Sequence, residues 1–254
     1  MMTAHTGLPH GLVSRLESFA GDHDFADLYR RYNWRRDNWV DGFPDILELE
    51  MQLTASARSS LVTRRDVIDV AEWAKHRNPA SIECPDTLGL PLHRTAAGGP
   101  WTIATDPARL ATQLRQATKG LGPTTLSKVL RFAVPRELGA IDSRIVRVVG
   151  RGDEEAKRQD WLSLRASNYG SGWSISASQS AWPGDYSEWI GILRFFADSL
   201  SDSGIACPHP DGLVTSGLRT RGVWACADVE MALFGWASKV VSRARAHQRC
   251  RQQG

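Results

Sequence analysis

Asp142 is the residue whose setting most suggests chemistry. It sits in Ala140-Ile141-Asp142-Ser143-Arg144-Ile145-Val146, a lone carboxylate among apolar side chains on a short link between two helical stretches. A carboxylate so placed suits stabilising positive charge on a sugar or activating a water. Its plainer reading, compatible with the first, is an N-cap for a helix over 143–150, since aspartate is a favoured cap. Upstream, Gly120-Leu121-Gly122 predicts a tight turn using positive φ, and Pro123 fits the first turn of the helix that follows. The uncovered N–H groups and positive end of that helix would take an anion, and a DNA phosphate is the obvious one. Lys128 lies one turn past Thr124, where its amine would reach back over that threonine. It has three readings: a nucleophile, a phosphate contact or solvated cation, or a partner for Asp142.

Together, the 118–150 segment resembles the helix-hairpin-helix DNA glycosylases, in which a Gly-hydrophobic-Gly hairpin and helix precede an aspartate in a Val-Asp-Thr-His-like stretch. The matching residues are Gly120-Leu121-Gly122 and Ile141-Asp142-Ser143-Arg144-Ile145. The resemblance implies a mostly α, two-lobed fold with a cleft that receives double-stranded DNA and a flipped base. It assigns catalysis to Asp142, with Lys128 as a second candidate, and DNA contacts to Gly120, Leu121, Gly122, Thr124, Thr125 and Arg144. The position that holds a lysine in the bifunctional lyases falls at Thr124, 18 residues before Asp142. The implied activity is therefore monofunctional hydrolysis of an N-glycosidic bond, leaving an abasic site. Lys119 in place of the usual proline and Leu126 in place of a small residue mark a divergent branch, similar to 8-oxoguanine-glycosylase-fold proteins of phage defence. The implied substrate is a damaged or modified base, which in such a branch includes the hypermodified bases of phage DNA. The alternative from another class is a catalytically inactive DNA-binding protein that keeps the hairpin for phosphates.

A flipped base needs a pocket. Trp173, Trp182, Tyr186 and Trp189 near a Ser/Gly-rich stretch are candidates, with Glu230 and Trp236 on the last long helix, and each has core packing as its plainer reading. Tyr29-Arg30-Arg31-Tyr32-Asn33-Trp34-Arg35-Arg36 mixes aromatic and guanidinium groups, as stacking and phosphate-binding surfaces do. Lys239, Arg243, Arg245, Arg249 and Arg251 follow Glu230 with no acidic residue between, which suits either dipole compensation or a phosphate-tracking tail.

These side chains need a helical frame. Apolar stripes predict helices at 43–58 (Ile46, Leu49, Leu53, Ala57), 64–77, 107–117, 185–201 and 227–246, with Asp106 capping the third ahead of Pro107. The post-hairpin helix should turn Leu126, Val129, Leu130 and Ala133 inward and stop before Pro135. Segments 78–105 and 166–184 read as irregular, and sustained two-residue alternation is absent. The division expected from the family is 1–60 joining 165–254 in one lobe, with 61–164, including the hairpin at 106–134, as the other. Composition (254 residues, 42% hydrophobic, 23% charged) is that of a globular protein, and a net charge of +3 permits nucleic-acid binding. No apolar run is long enough for a membrane, so a cytoplasmic monomer is expected. The four cysteines form no Cys-x-x-Cys pair, and neither metal nor cofactor is expected.

Overall fold

The structure, a computed structural model, describes residues 7–94, 101–103, 106–170 and 172–252. It is mostly α, with ten helices among the described residues: α1 (His10–Asp22), α2 (Phe25–Arg30), α3 (Pro44–Ala57), α4 (Arg64–Trp73), α5 (Pro107–Ala117), α6 (Pro123–Ala133), α7 (Ser143–Val149), α8 (Gly184–Asp202), α9 (Asp211–Thr215) and α10 (Cys226–Gln252). Strands of two or three residues form four antiparallel pairs: β1 (Asn33–Trp34) with β2 (Asp37–Asn38), β3 (Leu61–Thr63) with β4 (Thr87–Gly89), β5 (Leu92–Arg94) with β6 (Trp101–Ile103), and β7 (Ala166–Asn168) with β8 (Trp173–Ile175). No described helix is long and apolar enough to cross a membrane.

Local chemistry explains the helix starts. Thr63 and Asp66 form a reciprocal capping box on α4, and the Asp106 carboxylate accepts from Arg109 N–H at 3.1 Å to open α5. Two segments expected to be irregular carry short structure: 78–105 holds a 3₁₀ turn at Pro79–Ser81 and strands β4 to β6, and 166–175 is the β7–β8 hairpin. Residues 95–100 and 104–105 lie outside the described residues.

Helix α6 departs most from expectation. Leu126, Val129, Leu130 and Ala133 are buried as the stripe requires, but so are Thr125, Ser127, Lys128 and Arg131 on its polar side. Helices α3, α4 and α5 all pack against it, leaving no solvated face. The first half of α10, Cys226 to Gly235, is likewise buried, and the helix packs on α2, α7 and α8. At Gly235 an added Cβ would lie 2.8 Å from the Leu28 carbonyl oxygen, so the α2–α10 approach requires glycine. The core is one continuous cluster from Leu12 to Ala244. Within that core α3 packs on both α4 and α6.

Candidate active site

The hairpin before α6 is held by its neighbours. Lys119 exchanges two backbone hydrogen bonds with Glu83, their side chains pair at 2.8 Å, and the His76 ring bonds the Gly120 carbonyl at 2.9 Å. Gly120 has φ of +86°, as the turn demands. Gly122 does not share that role: it is extended, with φ of −83°, and is the N-cap of α6. An added Cβ at Gly122 would meet nothing within 4 Å, and no side chain caps the helix. This end of α6 is therefore open to an approaching group, with Leu121 and Thr124 half-buried beside it and Thr125 buried behind.

From α6 the chain returns across its own helix toward Asp142. Ser127 Oγ receives the Ile141 N–H at 3.0 Å, Tyr186 Oη donates to the Gly139 carbonyl at 3.3 Å, and Trp189 Nε1 donates to the Ala140 carbonyl at 2.9 Å. An added Cβ at Gly139 would sit 2.3 Å from a Leu193 methyl and 3.0 Å from Glu230 Cβ, so only glycine threads between α8 and α10. Three hydrogen bonds and one obligatory glycine thus fix the backbone that delivers Asp142. The carboxylate caps α7, its Oδ1 accepting from Arg144 N–H at 2.9 Å, while Oδ2 lies 3.5 Å from Lys128 Nζ. Of the three readings of Lys128, the solvated one is corrected. Its side chain is buried, paired with Asp142, and its ammonium sits 5.3 Å from the ring centroids of both Trp34 and Trp73.

These groups face one cavity lined by Tyr32, Trp34, Trp73, Lys128, Arg131, Ala140, Asp142, Glu230 and Phe234. Its free volume is about 10 Å³, room for a single water. Two carboxyls, Asp142 and Glu230, share it. Burial pushes Glu230 up to about 7, with the charge of Asp142 adding to the rise and Arg131 and Lys128 opposing it. A carboxyl poised to hold or release a proton near neutral pH, beside a capped, ion-paired carboxylate, is an acid–base arrangement.

No match to the chain is found among family models, curated proteins or solved structures.

The geometry of the site extends beyond the cavity into a buried run of alternating charges that sequence reading did not foresee. Arg219 Nε bonds both oxygens of Asp228, at 2.8 and 3.0 Å, and its two terminal nitrogens bond the two oxygens of Glu50 at 2.7 and 3.0 Å. Arg131 pairs with Glu50 at 2.7 Å and with Glu230 at 3.6 Å, reaching the cavity wall. All five side chains are at most 7% exposed. A signal was present in Glu50, which interrupts the apolar stripe Ile46–Leu53–Ala57 of α3 at helical spacing.

Other expected site residues fall elsewhere. Tyr186 and Trp189 are fully buried and Trp182 packs on Tyr186, so the first two position the Asp142 segment and none of the three lines its cavity. Trp173 borders a separate polar hollow of about 270 Å³, its ring 4.3 Å from the Arg147 guanidinium. Trp236 is half-buried and stacks on core Trp161. Arg144 is half-buried, its guanidinium 5.0 Å from the rings of Trp34 and Phe234. The side chains of Arg249 and Arg251 lie outside the described residues. One group of metal-ligating types occurs among the described residues, with donor atoms of Cys207, His209 and Asp228 within 4.8 Å of one another. Asp228 already accepts from Arg219, His209 and the Ala225 N–H. Its burial acts upward but is outweighed by Arg219 and His209, which hold the carboxyl down to about 2. That is the coordination of an ion-pair network, and a cation there would compete with a bound guanidinium.

Proposed function

We propose that this chain is a monofunctional DNA N-glycosylase acting on double-stranded DNA. The observation that carries the reading is the convergence of Asp142, Lys128 and Glu230 on one aromatic-walled cavity at the end of a helix-hairpin-helix segment. In the proposed reaction the bond between sugar C1′ and the base nitrogen breaks, and C1′ bonds a water oxygen. Asp142 faces the sugar, stabilises its positive charge and takes the water proton, while neutral Glu230 gives its proton to the departing base. Lys128, held by Asp142 and two indoles, supplies a cation to the site and is not the nucleophile. The uncovered start of α6 at Gly122–Thr125 takes a backbone phosphate. The substrate class carried over from the resemblance is a damaged or hypermodified base, including those of phage DNA.

The direct test incubates the protein with damaged duplexes and hypermodified phage genomes. Released bases are read by mass spectrometry and abasic sites by alkaline cleavage; release of no base from any substrate refutes the reading. Two further results are expected. Borohydride added during turnover should trap no protein–DNA adduct, because hydrolysis passes through no Schiff base, and an adduct that disappears in Lys128→Ala would overturn the monofunctional assignment. The protonated form of Glu230 is the working one, present below its pKa and lost above it. Single-turnover base release should therefore fall roughly tenfold per pH unit above the midpoint, which burial sets at about 7. Glu230→Gln should be slower and lack that alkaline limb; a limb retained in the variant assigns the proton to another group.

A further inference from the structure

The cavity that holds Asp142 is too small for what it is proposed to bind, and one of its walls is half-exposed. Ligand pockets run to roughly 300–1,000 Å³, against about 10 Å³ of free space here. Of the residues lining it, Trp34 alone is half-exposed; the rest are buried in the core or on α6 and α10. Trp34 is on the hairpin β1–β2, which pairs Asn33 with Asn38 and Trp34 with Asp37 around exposed Arg35 and Arg36, with Arg35 held at φ of +60°. The strap is anchored opposite Trp34, because its cross-strand partner, buried Asp37, accepts from Trp73 Nε1 at 2.7 Å and from Ile46 N–H at 3.0 Å. The turn is held by Arg35 on the Glu72 and Trp73 carbonyls at 3.1 and 3.2 Å and by Arg36 on the Asp45 carboxylate, whereas the Trp34 side chain is held by its indole N–H on the Trp73 carbonyl at 3.3 Å.

Three cations converge on the same indole: Lys75 at 5.9 Å, Lys128 at 5.3 Å and Arg144 at 5.0 Å from its centroid. A flat aromatic group is what this electrostatic setting accepts, and a nucleobase has the same π-face. We propose that Trp34 is a displaceable plug, its indole occupying in the free protein the place an extruded nucleobase takes, and that its side chain rotates outward from the anchored strap as DNA binds. The base then lies between Trp73 and Phe234, with Glu230 at its edge and Asp142 toward its sugar. The identity of the occupant rests on the glycosylase reading; the closed state of the cavity does not.

Two measurements separate these parts. Without DNA, reductive methylation mapped by mass spectrometry should label Lys128 slowly in the wild-type protein and about tenfold or more faster in Trp34→Ala, relative to exposed Lys239. Equal Lys128 labelling in the two proteins overturns the plug whatever the enzyme does. In the second, Asp142→Asn protein carrying 5-fluorotryptophan is titrated with a duplex holding one 2-aminopurine opposite an abasic site, an unpaired base that extrudes at low cost. The Trp34 fluorine line, assigned with Trp34→Phe, should move on binding while the line of Trp39 stays. Duplex binding with the Trp34 line unmoved overturns the displacement. Failure of the duplex to bind, with Lys128 still unmasked by Trp34→Ala, leaves a plugged cavity and refutes the nucleobase as its occupant.

Discussion

Asp142→Asn is expected to lower the rate of base release on the order of 10²–10³-fold while duplex binding persists. The substitution removes the charge that faces the sugar and the acceptor for the water proton, yet asparagine is as good an N-cap as aspartate. Its side-chain oxygen can still accept the Arg144 N–H that Asp142 now takes at 2.9 Å, so α7 should keep its start. The backbone that carries residue 142 is held from Ser127, Tyr186 and Trp189, none of which contacts the carboxylate through these bonds. Single-turnover base release and a duplex-binding isotherm on the same preparation check the separation. Equal rates in the variant and the parent would remove Asp142 from the chemistry. A chain that serves only as a DNA-binding module predicts that equality in any cellular effect as well.

Glu50→Gln is expected to be the most destabilising single substitution of similar shape in the chain. Glu50 is fully buried between the guanidiniums of Arg219 and Arg131, at 2.7 Å from each. Glutamine preserves the volume but leaves two buried cations sharing fewer negative neighbours, and breaking a buried pair from one side typically costs about 3–5 kcal/mol. At this chain length, that corresponds to roughly 10 °C in melting temperature. Thermal unfolding followed by circular dichroism measures it, with Arg31→Gln, which breaks the exposed Arg31–Asp27 pair, as the variant that should barely move. Because Arg131 also faces Glu230 at 3.6 Å, Glu50→Gln should disturb the pH profile of base release too. A melting temperature within about 2 °C of wild type would mean that the network relaxes around the lost charge.

Much of the frame was legible in the residues. Apolar spacing of 3.6, prolines at helix starts and Asp106 as a cap gave α3, α5, α6 and α8 to within a few residues and the start of α10, whose end lies beyond the expected 246, and Asp142 is the N-cap that its neighbours implied. Those features are local, and capping and periodicity act over a single turn. The strap carrying Trp34 was not legible, since a two-residue strand pair has no period to detect. Tyr186 and Trp189, expected to line a base pocket, lie outside the cavity, and their polar atoms hold the backbone of residues 139 and 140.

The lone carboxylate and its register to the hairpin were thus fixed by the order of residues, because spacing along a chain survives into any fold that keeps the helices. What surrounds Asp142 was decided only by tertiary packing. Lys128 lies on a face of α6 that reads as solvated, and Glu50, Arg131, Arg219, Asp228 and Glu230 are scattered from α3 to α10. Enclosure of α6 by three other helices turns those separate charges into one buried, alternating network. Burial and charge pairing depend on which surfaces meet, and no local pattern in a sequence records that.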